Sequence, residues 1–266
     1  MEKYTLCRIN ERYVHMFNRG INELVLNQPE QLPKRTFNFK RAGLLIAITV
    51  VIVAIWDTWA VYPLKILVVF FHELSHGITA VATGGRIVEV RVDAMQGGLC
   101  LTEGGSRFLT LSAGYLGSLI LGGLLLLAAS HFKRKNIPNL ILGLVLFITT
   151  IVYVRPVIGF GFFFGAAVGI AFVAAAQKLP NEVNGYILTV IGLTSTLYAV
   201  LDIKSDILDR PGARSDAAML SDLTGVPTIM WGAAWMLVSI CLAFVFIVFA
   251  SARLQPESDS ATTRVL

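Results

Sequence analysis

The chain has 266 residues, of which 55% are hydrophobic and only 15% are charged. Soluble domains carry about 25% charged residues, so this composition excludes an ordinary soluble globular protein. The apolar residues form long blocks of bilayer length, so we predict an all-α polytopic membrane protein. The formal net charge is +5. Because no basic patch is interleaved with aromatic residues, nucleic acid is not an expected partner.

Polar segments flank the apolar blocks at both ends of the chain. Residues 1–41 are mixed in charge, and the first apolar block starts too late for a secretory signal peptide. We therefore predict a polar N-terminal segment over residues 1–41 and a transmembrane domain over residues 42–252. Residues 253–266 have little apolar surface to bury, so we predict a disordered tail there.

Several apolar blocks approach the ~20 residues that a helix needs to cross a bilayer. Prolines at Tyr62-Pro63 and Arg155-Pro156 separate neighbouring blocks, because proline cannot continue a helix without losing a hydrogen bond. We therefore predict six or seven transmembrane helices. The blocks are 42–61, 63–83, 108–130, 138–155, 157–178, 186–203 and 228–252.

Lysines and arginines predict the orientation, since cytoplasmic loops are enriched in both. With seven crossings, fifteen of the 22 lie on the side of the N-terminus, which predicts that the N-terminus is cytoplasmic. The same count places the loops at 84–107 and 202–227 on that side. The cluster Lys133-Arg134-Lys135 opposes the assignment, because the count places it on the other side.

The second block contains the sequence His72-Glu73-Leu74-Ser75-His76, which is the pattern HExxH. Residues four apart share one face of a helix, so both histidines can bind one metal ion, and Zn²⁺ suits neutral imidazoles. Glu73 can take a proton from the attacking water. A histidine pair satisfied by hydrogen bonds is the structural alternative. Ionisable groups inside a membrane helix are costly, however, and usually mark a functional site.

A catalytic zinc site needs a third protein ligand, and the segment after the block at 186–203 is rich in aspartate. Asp202 is the first choice by its depth in the membrane, with Asp216 and Asp206 as alternatives. Each aspartate taken alone could instead be a solvated interface residue. His15 and His131 are poorer candidates, since one lies in the polar N-terminal segment and the other at the opposite membrane end.

The segment after HExxH predicts a short β-hairpin. Residues 88–93 mostly alternate between apolar and polar, and Gly97-Gly98 is a turn signal. The hairpin is either a plain connection or an edge strand to which an unwound substrate segment adds by main-chain hydrogen bonds. Glycines in the next span predict close helix packing.

These features together resemble the site-2 protease family of intramembrane zinc metalloproteases, in the group described as peptidase M50B-like. The resemblance rests on HExxH within a span, the glycine-rich hairpin and residues 113–118. Those residues are similar to the family segment AGPxxN, with Tyr115 in place of proline and Ser118 in place of asparagine. Residues 201–203 keep the first two letters of the family motif LDG, and residues 214–227 are similar to a segment of the divergent group.

The resemblance implies hydrolysis of a peptide bond in or next to a transmembrane segment of a membrane protein. In that hypothesis His72, His76 and one aspartate hold zinc, while Glu73 activates the water. One alternative is a catalytically inactive relative that acts as a membrane scaffold. A metal transporter is a weaker alternative, because transport requires further ionisable residues along several spans, and beyond the motif the sequence offers little except Asp57.

Overall fold

The computed structural model describes residues 35–209 and 214–254 of the chain. The main compact unit covers Phe37–Ala252. In the described part the structure has eight α-helices and two small two-stranded sheets, which confirms the predicted all-α membrane fold with a short hairpin. Most of the predicted N-terminal segment and nearly all of the predicted tail lie outside the described residues, so both stay predictions.

The described elements, in chain order, are β1 (Arg35–Phe37), α1 (Phe39–Ala54), α2 (Tyr62–Ala82), β2 (Arg86–Val92), β3 (Gly98–Glu103), α3 (Arg107–His131), α4 (Asn136–Tyr153), α5 (Phe160–Lys178), α6 (Asn181–Lys204), α7 (Asp216–Thr224), α8 (Thr228–Ser251) and β4 (Ala252–Leu254). The π-helical turn Ser205–Asp209 continues α6. Strand β1 pairs with β4, and β2 pairs with β3.

Local sequence signals explain where several helices begin and end. The side chains of Asn38, Ser106 and Ser215 each accept a hydrogen bond from a backbone N–H in the first turn that follows. Pro63 lies in the first turn of α2, where its missing N–H costs nothing. Gly225 ends α7 at φ +74°, in the left-handed region that favours glycine.

Among the residues that the structure describes, six helices are long and apolar enough to cross a membrane: α2, α3, α4, α5, α6 with its continuation to Ile207, and α8. Helix α1 has 16 residues. At a rise of 1.5 Å per residue it is about 24 Å long, short of the ~30 Å hydrocarbon core. Of the two numbers that the sequence allowed, the structure supports six.

Contacts at the two ends of α3 define the two ends of the helix bundle. At its carboxyl end, the Arg41 guanidinium donates to the carbonyl oxygen of Ser130 over 3.3 Å. At its amino end, the Ser106 N–H donates to the Thr83 hydroxyl over 2.9 Å. We call the end of the bundle at Ser130 the terminal end and the end at Ser106 the hairpin end. Between Arg41 and Thr83 the chain therefore crosses the bundle once, through α1 and α2 together.

This single crossing corrects the crossing count made from the sequence. The count took the blocks at 42–61 and 63–83 as two full spans, which placed the N-terminal segment and the hairpin on one side. In the structure the two lie at opposite ends. At the junction, the Trp56 ring packs on Tyr198 of α6 with 6.0 Å between ring centres. Tyr198 is the eighteenth of the 24 residues of α6, so the junction lies partway along the bundle. Block length alone does not show whether the chain turns back before its next helix.

The hairpin of β2 and β3 lies along α2. Its register pairs Arg86 with Glu103 and Val92 with Gly98. A Cβ on Gly77 would lie 2.6 Å from the Ile87 side chain, so α2 and β2 approach closely at this glycine. The strands therefore cover the face of α2 beside its HExxH segment, as the sequence predicted for a hairpin at this position.

Glycines make the predicted close helix contacts. A Cβ on Gly117 of α3 would lie 2.5 Å from Ser75 of α2. A Cβ on Gly122 of α3 would lie 2.6 Å from Ser195 of α6. Since real Cβ atoms do not approach so closely, a small residue is needed at both crossings.

Candidate metal centre

The two motif histidines face one carboxylate. His72 Nε2 lies 3.0 Å and His76 Nε2 lies 3.2 Å from the same oxygen, Oδ2 of Asp216. The three side chains offer ligand atoms that all lie within 4.8 Å of one another. Two imidazole nitrogens and one carboxylate oxygen are the donor set of many catalytic zinc sites, which leave a further position open.

Helix α7 brings Asp216 to the histidines. Asp216 is the first residue of α7, directly after the capping Ser215. The apolar face of α7, Ala217 and Leu220, packs in one buried cluster with Tyr115 of α3. Asp216 is therefore held in place by tertiary packing and is only 7% exposed.

The imidazoles favour the charged form of this carboxylate. Burial raises the pKa of Asp216, but His76 and His72 beside it lower the pKa further, so that it lies well below its usual range. An ionised carboxylate is the form that binds a metal ion.

Gly114 of α3 leaves space for the ligands. A Cβ at this position would lie 2.3 Å from His72 Nε2 and 2.6 Å from Asp216 Oδ2. Any larger residue would therefore push at least one ligand atom away. This gives a physical reason for the glycine in the segment at 113–118.

The second ring nitrogen of His76 has a hydrogen-bond partner that also suits metal binding. His76 Nδ1 lies 2.6 Å from the carbonyl oxygen of Thr110. With the proton on Nδ1, that nitrogen donates to the carbonyl, and Nε2 is left as a metal ligand, which is the usual arrangement for histidines at metal sites. His72, His76 and Asp216 thus fit Zn²⁺ in donor type, orientation and spacing. Sequence reasoning missed Thr110, because a backbone carbonyl leaves no side-chain signal.

Among the candidate third ligands, the structure brings Asp216 to the histidines. Asp202, the first choice by depth, lines the same cavity but lies outside the group of three potential ligands. Asp206 accepts a hydrogen bond from the Tyr115 hydroxyl. Helix α7 packs on α3 and buries Asp216 there, although Asp216 lies later in the sequence than Asp202.

Of the two poorer histidine candidates, His131 does not join the centre. His131 lies at the terminal end, where its Nε2 is 2.9 Å from the carbonyl oxygen of Phe249. His15 lies outside the described residues.

Glu73 faces the hairpin. It is only 6% exposed, and the backbone of Cys100 in β3 hydrogen-bonds to its carboxyl group. A Cβ on Gly98 would lie 2.2 Å from Glu73 Oε1, so glycine lets β3 pass directly over this carboxylate. The hairpin therefore fixes the position of the candidate general base.

One edge of β3 faces the cavity at the centre. On the far side of β2, the Arg155 N–H donates to the Val90 carbonyl over 2.9 Å, so the backbone polar groups of Val90 point away from β3. Val90 pairs with Cys100. Because backbone direction alternates along a strand, the N–H and C=O groups of Cys100 and Gly98 point away from β2. They lie on the edge of β3 that faces Glu73.

A cavity of about 670 Å³ connects these groups. Its lining includes the two histidines, Glu73 and Asp216, together with residues of β3 such as Leu99 and Thr102. This volume is within the usual range for ligand and substrate pockets.

Cys100 also borders the cavity but is not a nucleophile at neutral pH. Burial, and to a lesser degree the neighbouring Glu73 carboxylate, raise the pKa of the Cys100 thiol to about 12. Only a thiolate attacks a carbonyl or binds a metal strongly. The chemistry of the site therefore depends on the histidines and carboxylates.

The fold and these side chains define a polytopic membrane protein with a candidate metal centre between its membrane-spanning helices. A family model described as Peptidase M50B-like matches residues 45–246, and the chain belongs to this family. The matched range includes the histidine pair, Glu73 and Asp216. Searches of curated proteins and of solved structures find no match.

Proposed function

We propose that the chain is an intramembrane zinc metalloprotease that hydrolyses a peptide bond in or near a transmembrane segment of a membrane protein. The observation that carries the proposal is the meeting of His72, His76 and Asp216 at one point, with Glu73 beside them. Burying two imidazoles and two carboxylates between membrane helices is costly without a partner charge. Membership of a metallopeptidase family supports the same function.

Each side chain has a distinct role in this proposal. His72, His76 and Asp216 would hold Zn²⁺, which supplies Lewis acidity to the scissile carbonyl and to water when it is bound. Glu73 accepts the proton of the attacking water and returns it to the leaving amine. The Thr110 carbonyl holds the tautomer of His76. The backbone above Glu73, at Gly98 and Cys100, excludes bulk water from the carboxylate.

The edge of β3 gives the substrate a docking position. A helical peptide bond is shielded by its own hydrogen bonds, so a substrate segment must be extended before hydrolysis. An extended segment can add to this edge as an extra strand at the backbone groups of Gly98 and the C=O of Cys100, while the Cys100 N–H stays bonded to Glu73. It would then lie beside the HExxH segment of α2. This supports the functional role of the hairpin over a purely connecting one.

Metal analysis and one conservative substitution test the proposal. We expect purified wild-type protein to contain about one zinc per chain, as a single HExxH site predicts. We expect Glu73→Gln to keep the zinc and to lower cleavage of a membrane substrate by about 10²- to 10⁴-fold, the usual contribution of a general base. Glu182→Gln, an exposed residue in the first turn of α6, is the matched control.

The same experiment decides between protease and scaffold. An inactive scaffold would show no difference between Glu73→Gln and Glu182→Gln in any function of the protein. Cleavage that continued at the wild-type rate in Glu73→Gln would overturn the protease proposal. We also propose that the N-terminus is cytoplasmic, which rests on the distribution of lysine and arginine in the sequence.

A further inference from the structure

We propose that Arg107 and Arg214 make the mouth of the metal-centre cavity a binding site for an acidic side chain of the substrate. The substrate is then a membrane protein whose apolar segment carries aspartate or glutamate about three residues from the hydrolysed bond, at ~3.3 Å per extended residue. This inference rests on the proposed function, because it assigns a specificity to the same cavity.

The cavity of the metal centre opens at the hairpin end of the bundle. Its lining includes Gly104 and Gly105, which follow β3, and Arg107, the first residue of α3. All three are exposed. Thr110, which bonds to His76, also lines the cavity, but it is the fourth residue of α3 and is buried. The cavity therefore runs from a mouth at the surface inward to the metal centre.

Two walls of the cavity each carry an arginine on the mouth side of the centre. Arg107 lies seven residues before Gly114, so the two share one face of α3. Arg214 directly precedes Ser215, the capping residue of α7, and lies two residues before Asp216. Both arginines line the cavity and are exposed. Among the residues that the structure describes, neither guanidinium has a hydrogen-bond or ion-pair partner.

The carboxylates that line the cavity lie deeper than the arginines. Glu73 and Asp216 belong to the metal centre. Asp206 accepts a hydrogen bond from Tyr115, the ninth residue of α3, and Asp202 precedes Asp206 by about one turn of helix. Positive charge at the mouth and negative charge at the centre can fix the register of a bound segment, because complementary charges select one alignment.

The distance from the mouth to the centre suits an extended substrate. Arg107 and Gly114 are separated by about 10 Å along α3, at 1.5 Å per residue. An extended segment rises about 3.3 Å per residue and covers this distance in about three residues. Strand β3 runs in the same direction, from Gly98 beside Glu73 to the exposed Glu103. A substrate strand on the edge of β3 therefore passes from the centre to the mouth.

The chemistry of the lining indicates what this strand contains. Leu101, Leu111 and Met219 line the cavity and suit the apolar residues of a membrane segment. A guanidinium suits a carboxylate, which can accept two parallel N–H bonds from it. Because both arginines line the cavity itself, the anion that they bind belongs to the bound segment rather than to a surrounding lipid. The cavity thus fits an apolar segment followed by an acidic residue.

Peptide binding to the full-length Glu73→Gln variant tests this specificity. The variant is loaded with zinc and held in nanodiscs of neutral phosphatidylcholine, so that hydrolysis does not consume the probe. The probe is a short fluorescent peptide of valine, alanine and threonine. One position at a time carries glutamate, glutamine or lysine, and fluorescence anisotropy gives the Kd of each peptide.

We expect glutamate to bind about tenfold more tightly than glutamine at one position, the low end for hydrogen bonds to a charged group. Arg107→Gln and Arg214→Gln should each reduce this preference, and the double variant should abolish it. Arg134→Gln, exposed in the loop after α3, is the matched control and should keep the preference. Equal binding of the glutamate and glutamine peptides at every position overturns the proposal, and so does a preference that survives in the double variant.

Charge reversal covers the case in which a variant loses the preference because it misfolds. We expect Arg107→Glu combined with Arg214→Glu to bind the lysine peptide more tightly than the glutamate peptide at the same position, which a misfolded chain would not do. Zinc content reports whether the metal centre is intact. The absence of a lysine preference in a charge-reversed variant that keeps its zinc overturns the proposal.

Anionic lipid tests the other source of a negative group. We expect the glutamate preference to persist when part of the neutral lipid is replaced by phosphatidylglycerol. Loss of the preference in these nanodiscs would show that a lipid phosphate occupies the arginines, and would overturn the proposal.

None of these measurements uses catalytic activity. Failure of the proposed function appears as cleavage that continues in Glu73→Gln. Failure of the specificity appears as equal binding of the glutamate and glutamine peptides, so the two failures are distinguished.

Discussion

Helix α2 has different neighbours on the two sides of its histidine pair. On one side, α3 and α7 contribute Gly114 and Asp216, which both approach His72. On the other side, the hairpin places Gly98 and the backbone of Cys100 over Glu73. The first side determines whether a metal is held, and the second determines where the general base and an extended peptide lie. Since separate elements build the two sides, metal binding and proton transfer should fail separately.

The largest expected effect is loss of the carboxylate ligand. We expect Asp216→Ala to lower zinc affinity by more than the 10- to 100-fold that removal of an outer partner costs, because it removes a direct ligand. Asp202→Ala is the matched control and should keep its zinc. Zinc per chain after dialysis against graded chelator measures both variants. Zinc loss from Asp202→Ala with retention by Asp216→Ala would contradict our assignment of the third ligand.

Gly114→Ala tests the metal-binding side of α2 by steric crowding alone, because it removes no ligand. The added methyl would lie 2.3 Å from His72 Nε2, so the ligands must separate. We expect zinc affinity to fall by about 100-fold, the upper end for disturbance of an outer position. Gly43→Ala, where a Cβ meets nothing within 4 Å, is the matched control. Chelator competition on both variants gives the comparison, and equal affinities would mean that α3 does not press on the centre.

Gly98→Ala tests the hairpin side. Its methyl would lie 2.2 Å from Glu73 Oε1 and displace the general base. A displacement near 1 Å costs about 100-fold in rate, so we expect cleavage to fall by about that factor. Zinc content should stay at the wild-type value, which separates this variant from Gly114→Ala. Loss of zinc from Gly98→Ala would show that the two sides are not independent.

Tyr115→Phe should have the smallest effect. Tyr115 lies edge to face with His72, at 5.0 Å between ring centres, and its hydroxyl donates to Asp206. Removing the hydroxyl breaks its hydrogen bond to Asp206 but leaves the ring contact with His72 intact. We therefore expect only about a tenfold loss of zinc affinity, the lower end for an outer partner. Asp206→Ala removes the acceptor of the same hydrogen bond, so Tyr115→Phe should cost nothing further in that background. Additive losses would show that the two residues act on the centre separately.

Local patterns in the sequence predicted half of the site. His72 and His76 share a helix face because they are four residues apart, and Glu73 is adjacent, so HExxH needs no tertiary information. The hairpin was also predicted locally, from alternating residues and a glycine turn. Tyr115 was noticed only as a departure from a family segment, and its contact with Asp206 joins positions 91 residues apart.

The sequence by itself determined the membrane class, the histidine pair and the candidate general base, because hydropathy and helix periodicity act over short distances. Tertiary structure decided which carboxylate meets the histidines, since 144 residues separate His72 from Asp216 and the packing of α7 on α3 joins them. It also decided the number of crossings. The chain turns from α1 into α2 where Trp56 packs on Tyr198 of α6, and block length carries no information about that contact.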